Sequence, residues 1–314
     1  MGGVPPASKS HPRIKTRPSA RRSPAKRGQP IEILRAKSLA QLPWLVHGFS
    51  TRSGGISACY GDNTLNLGLT RHDTKDNVER NRALFLEKVG AKHQEGRAWA
   101  LVQLKQIHSS VVHRVSTASC EPLAGDGLVT DTANLLLAIK TADCVPVLVA
   151  DVKRRAVGAI HAGWRGTVGR VVEKGIGEMR HRFGSVPRDL RAVIGPCIRR
   201  CCYQVGAEVH AEFESQFSYA DKLFQEIFDA DAIHVRYPLL FLNQQAPGHG
   251  GLGPELHLDL VEANKRQLRD TGIREEHISV VEGCTACETM RFFSHRAEFG
   301  ETGRLMAVIG IRSG

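Results

Sequence analysis

Three segments of this 314-residue chain carry side chains that ligate transition metals: Lys105-Gln-Ile-His108-Ser-Ser, Thr141-Ala-Asp-Cys144-Val-Pro and Ile160-His161-Ala-Gly-Trp-Arg165-Gly. Zinc takes imidazole nitrogen and thiolate sulfur in tetrahedral geometry, and a zinc with three protein donors keeps its fourth position for water or substrate. Copper accepts the same donor types. The residue types alone also admit plainer roles. A cysteine in an apolar strand packs as a small hydrophobe, and a histidine at a strand end is commonly structural. Cys144 and His161 could instead act as thiolate and base, which would make a cysteine hydrolase or amidase. That pairing leaves His108 without a task.

Other signals are weaker. His210-Ala-Glu212 and Pro196-Cys197-Ile-Arg-Arg-Cys201 resemble the zinc deaminase signature, but they run in reverse order and the cysteines are one residue too far apart. Cys284-Thr-Ala-Cys287 is a C-x-x-C without a second such pair, so it reads as a packed turn rather than half a zinc knuckle. Gly248-His-Gly-Gly-Leu-Gly253 lacks the strand before it and meets Pro254 after it, so it reads as a loop. None of the fourteen histidines lies two residues from another, so the repeated H-x-H pairs of multicopper oxidases are missing and a laccase mechanism is not expected.

The donors need a scaffold, and the apolar runs supply one. Strands are expected over Leu101–Val115, Leu135–Thr141, Val145–Ala150, Ala156–His161, Leu190–Ile194, Ile278–Glu282 and Arg304–Ile311. Helical spacing marks Asp76–Gly90, with its glycine stop, and Thr167–Phe183, Val205–Phe217 and Leu258–Arg269. Each candidate ligand then sits where an apolar strand meets a polar or glycine-rich end. His47–Ile56, with paired glycines, reads as a tight loop able to approach a ligand. Strands and helices mix without strict βαβ alternation, which favours α+β over a doubly wound sheet.

The net charge of +11 suggests nucleic acid until it is located. Residues 1–30 hold eight Lys/Arg and no acid, leaving about +3 elsewhere. This Pro- and Ser-rich stretch reads as a disordered basic tail preceding a single domain over residues 31–314. A nucleic-acid partner is therefore not expected. No run approaches the ~18 apolar residues of a membrane span, and a signal peptide's apolar region is missing. Eight unevenly clustered cysteines fit a cytoplasmic protein with reduced thiols.

His47-Gly-Phe-Ser-Thr-Arg-Ser-Gly-Gly-Ile56, Gln106-Ile-His-Ser109, Gly125-Asp-Gly127, Lys140-Thr-Ala-Asp-Cys-Val-Pro146, His161-Ala-Gly-Trp-Arg-Gly166, Ile194-Gly-Pro-Cys-Ile198 and Phe293-Ser-His-Arg296 follow one another in a familiar order. From about residue 35 to the C-terminus the chain resembles the YfiH/laccase-domain family, also called multicopper polyphenol oxidase-like. The resemblance implies a four-layer α/β/β/α sandwich. It implies a metal-dependent purine nucleoside phosphorylase acting on adenosine, inosine, guanosine and S-methyl-5'-thioadenosine, with adenosine deaminase activity. It also implies metal ligands at His108, Cys144 and His161, with zinc as cofactor and copper as the alternative.

Water activated by such a metal could attack C6 of adenosine. Phosphorolysis needs an anion pocket, for which Arg52 and Arg165 are the candidates, because a guanidinium binds phosphate through two nitrogens. Asp143 is a further candidate substrate contact. In a regular strand it would face away from Cys144, but it could serve as acid or base if the strand ends before Pro146. The competing reading remains a Cys144/His161 hydrolase: the resemblance implies a fold similar to that of bacterial deamidase toxins, and a related protein is described as editing peptidoglycan precursors.

Overall fold

The longest apolar runs form strands that are buried along their whole length, which is why they read as continuous rather than alternating. These are β7 (Leu135–Thr141), β8 (Val145–Asp151), β9 (Ala156–Ala162) and β15 (Leu305–Ile311). A computed structural model describes residues 30–93, 95–118, 121–227 and 255–313. The expected basic tail up to residue 29, Cys120 and the 248–253 loop lie outside the described residues.

Among the described residues the strands pair into sheets of five, six and three. In the first, β1 (Ile33–Leu34), β2 (Leu45–Ser50), β15 and β7 are antiparallel neighbours, and β4 (Ala100–Gln103) adds in parallel to β7. In the second, the order is β14 (Ile278–Val280), β10 (Leu190–Ile194), β8, β9, β6 (Gly127–Thr130) and β5 (Val112–Arg114), antiparallel except for the outermost pair at each edge. β11 (Gln204–Val205), β13 (Glu255–Leu258) and β12 (Phe224–Ile227) make the third. The fold is mixed α/β with several sheets.

Side-chain alternation places the cores. Leu137, Ile139, Ala307 and Ile309 of the five-stranded sheet share one cluster with Leu148, Val157, Ala159 and Val193 of the six-stranded sheet. Their neighbours along β7 and β15 point the other way. Leu136, Ala138, Met306 and Val308 accordingly pack on Phe85, Leu86 and Val89 of α2 (Lys75–Val89). The outer face of the six-stranded sheet, with Val147, Val149 and Ile160, packs on α4 (Val171–Phe183), α5 (Ala207–Gln216) and α6 (Leu260–Asp270). Thr74 caps α2 by accepting the Asn77 N–H at 3.2 Å, and Gly90 ends it in the left-handed region.

Three expectations change. Leu101–Val115 is not one strand: β4 joins one sheet and β5 the other, so residues 104–111 cross between them. The 167–183 helix is two, α3 (Trp164–Val168) and α4, broken at Arg170 with φ 60°. His47–Ile56 is not a loop but β2, a turn, and β3 (Ser53–Ser57). Its Gly55 lies against the Thr64 carbonyl and the Asn81 amide, so the glycine serves internal packing rather than a ligand.

Candidate metal centre

The crossing segment 104–111 carries His108, and two side chains hold it. Gln106 bonds β7 at two points: its amide nitrogen donates to Lys140 O at 2.7 Å, and its oxygen accepts the Lys140 N–H at 2.8 Å. Asp126, fully buried at the start of β6, accepts from the backbone N–H groups of Ile107, His108 and Ser109 at 3.3, 3.1 and 2.6 Å, and from Ser109 Oγ at 2.7 Å. These bonds fix His108 in the left-handed region, with φ 57°.

Cys144 ends the connection from β7 to β8. Because Val145 faces Ala162 and Pro146 faces His161 across the β8–β9 pair, Cys144 lies beside the end of β9. The donor atoms of His108, Cys144 and His161 fall within 4.8 Å of one another, with His108 exposed, Cys144 half-buried and His161 buried. Cys144 Sγ is 3.8 Å from His108 Nε2. Gly163 closes the cradle: a Cβ there would stand 2.9 Å from His108 Cδ2 and 3.1 Å from Cys144 Sγ, so no larger residue fits beside the donors.

Asp126 also binds His161 Nδ1 at 2.8 Å, which leaves Nε2 as the donor atom. A carboxylate behind a ligating imidazole fixes its tautomer and orientation. Burial opposes ionisation of Asp126, but hydrogen bonds from His161 and Ser109 outweigh it and hold its carboxyl at about 2. Burial likewise opposes charge on the other two groups. The neighbouring Cys144 and Asp126 nevertheless raise His161 to about 9, and His161 and then His108 lower Cys144 to about 6. The two shifts favour the thiolate–imidazolium form when no metal is bound, and the thiolate is the ligating form.

A cleft of about 460 Å³ is lined by Trp164 and Arg165, which follow His161 in the chain, and by Tyr203, Glu208 and Arg296, among others. Arg165 stacks on Trp164 with its guanidinium carbon 4.2 Å from the ring centre, and Arg296 on Tyr203 at 5.4 Å. Neither pairs with a carboxylate among the described residues. The Arg296 backbone N–H donates to Asp143 at 2.6 Å, which ties this wall to the Cys144 turn.

The remaining expected contacts lie elsewhere. Arg52 is consumed internally: Nη1 pairs with Glu298 at 2.8 Å and donates to Thr289 O, Nη2 bonds Tyr60 O, and the group covers Phe293. Its guanidinium is therefore engaged by protein partners, and Arg52 is not among the residues that line the cleft. Asp143 sits in the turn with φ 89°, and both carboxylate oxygens are used, one by Thr285 Oγ1 at 2.6 Å and one by Arg296 N–H. It fastens two loops. Asp126 and Arg296 were given no role from sequence, although both stand in the quoted motifs.

Residues 46–312 match the family model described as multi-copper polyphenol oxidoreductase laccase. A purine nucleoside phosphorylase of Deinococcus radiodurans is 34% identical over 90% of this chain and 93% of its own length. Purine nucleoside phosphorylase YlmD of Bacillus subtilis is 32% identical over 85% and 89%. The crystal structure of Bacillus licheniformis YfiH superposes with a TM-score of 0.74 at 31% identity, covering 91% of this chain and 98% of that one.

Proposed function

The chain belongs to the multi-copper polyphenol oxidoreductase laccase family, and on that premise we propose a zinc-dependent purine nucleoside phosphorylase acting at His108, Cys144 and His161. Its substrates are adenosine, inosine, guanosine and S-methyl-5'-thioadenosine, and it also deaminates adenosine. The carrying observation is the convergence of three donors within 4.8 Å, with Asp126 aligning His161. Relatives named purine nucleoside phosphorylase support the reaction class. The three apolar clusters suit a four-layer α/β/β/α sandwich.

In phosphorolysis a phosphate oxygen bonds to C1′ of the ribose while the C1′–N9 bond breaks and its electrons leave with the purine. Arg165 and Arg296, stacked on aromatic faces, are the groups suited to hold the phosphate, since guanidinium pairs with phosphate oxygens through two N–H groups. A bound zinc would supply Lewis-acid chemistry at the open position of the three donors. Glu208, at the cleft wall, is the one carboxylate placed to accept a ribose hydroxyl proton in a hydrogen bond. The third donor distinguishes this reading from a hydrolase, because a thiolate–imidazolium pair has no use for His108 at 3.8 Å.

The test is incubation with each nucleoside, with and without phosphate, and product identification. Free base with ribose 1-phosphate (or its methylthio analogue), formed only with phosphate present, is expected. Base released equally well without phosphate, or no turnover of any nucleoside, contradicts the proposal.

A further inference from the structure

Two turns beyond the three-donor centre bring four more thiols together. Cys201 and Cys202 follow β10, Cys284 and Cys287 follow β14, and their four sulfurs lie within 4.8 Å of one another. Cys201 Sγ is 3.7 Å from Cys284 Sγ and 3.5 Å from Cys287 Sγ, while Cys202 and Cys287 sulfurs are 3.2 Å apart. Four sulfurs at about 2.3 Å from one tetrahedral metal are about 3.8 Å from each other. A disulfide would need about 2.05 Å. The observed spacings are close to the tetrahedral edge.

The C-x-x-C at Cys284 lacks a second such pair in the sequence and was expected to be a packed turn. Its partner is instead the adjacent pair Cys201-Cys202, delivered by the parallel pairing of β10 with β14. Protein contacts already fix both turns. Thr285 N–H donates to Cys197 O at 3.1 Å, and Arg199 reaches Gly283 O and Val281 O at 3.2 and 3.1 Å. The Arg199 N–H points at Cys284 Sγ from 3.4 Å, and a donor aimed at sulfur favours the thiolate.

We propose that Cys201, Cys202, Cys284 and Cys287 bind a second, structural zinc through four thiolates. Four protein donors close the coordination sphere, so this ion has no position for substrate. It cross-links the turn before Tyr203 to the turn that holds Thr285. Tyr203 stacks under Arg296, and Thr285 anchors Asp143, so the knot braces one wall of the cleft from behind.

Metal content of the reduced, full-length protein tests this, together with cobalt(II) spectra. Wild type should carry about two zinc ions per chain, and Cys144→Ala and the Cys201→Ser/Cys287→Ser double variant about one each. The Cys144→Ala protein reloaded with cobalt(II) has lost the thiolate of the three-donor centre. Strong thiolate-to-cobalt absorption with tetrahedral ligand-field bands must then come from the four cysteines. This readout holds even if the double variant fails to fold. A Cys144→Ala protein without that absorption, or a folded double variant with wild-type zinc content, overturns the proposal.

Discussion

The two donor clusters are built at the ends of neighbouring strands of one sheet, yet their surroundings differ in kind. At the three-donor centre a single sulfur lies among imidazoles, with Asp126 behind one of them, so charge partners determine its state. Cys144 is lowered to about 6 against burial, by His161 and then His108. In the four-cysteine knot the neighbours of a thiol are other thiols. Cys201 is raised to about 11, first by burial and then by hydrogen bonding with Cys287. In the first centre the sulfur is already favoured as thiolate and metal displaces the proton of His161 Nε2, whereas in the second Cys201 becomes thiolate as metal displaces its own proton. Three donors leave room for chemistry, whereas four give only a cross-link.

The sharpest break between the regions should appear in turnover. Cys144→Ala is expected to lower kcat/KM for inosine by about 10³-fold or more, since several kcal/mol of barrier lowering are lost with the metal. Steady-state kinetics at equal folded protein check this, and a loss under tenfold would dissolve the distinction. Asp126→Asn should come next. It keeps size but weakens the charge behind His161 Nδ1, so metal affinity should fall about 10- to 100-fold in competition with a chromophoric chelator.

The pKa contrast predicts different alkylation in metal-free, reduced protein. A thiol with lowered pKa is thiolate above that pH, so Cys144 labelling by iodoacetamide should rise through about pH 6 and plateau by pH 8. Cys201, held neutral until about 11, should still be slow at pH 7 despite its greater exposure. At that pH peptide mapping should find Cys144 labelled at least about tenfold faster, the thiolate fraction setting the rate. Equal rates would erase the contrast. The smallest effect concerns stability. At free zinc about a hundred times Kd, a bound structural ion contributes about 3 kcal/mol. Cys201→Ser/Cys287→Ser should therefore lower the melting temperature by several degrees relative to wild type at that zinc concentration.

Much of the scaffold was legible because burial on both faces writes itself as continuous apolar runs, as in β7, β8, β10 and β15. The C-terminal limit of α2 was legible from Gly90, and the start expected at Asp76 fell one residue inside the helix that Thr74 caps. Residues 101–115 misled because an apolar run cannot say which sheet each half joins. The break at Arg170 follows directly on the point where α3 is tied to α6, with Asn264 and Gln267 donating to Thr167. At the site, the donors could be chosen only through motif order, since His and Cys spacing alone admits ordinary core roles. The internal partners of Arg52, Glu298 and Thr289, were not legible because they come from the far end of the chain. Asp126 was quoted within its motif, but its bonds to segments 107–109 and 161 are tertiary facts. The four-cysteine knot was hidden for the same reason, two adjacent cysteines being an unusual half of a zinc site.

Anomalous diffraction from crystals of catalytically active protein, recorded on both sides of the zinc absorption edge, tests the central claim most directly. The account predicts a peak about 2.0–2.3 Å from His108 Nε2, Cys144 Sγ and His161 Nε2, with a non-protein ligand completing the tetrahedron. Active crystals with no metal peak among those three side chains, at the zinc or the copper edge, would contradict it.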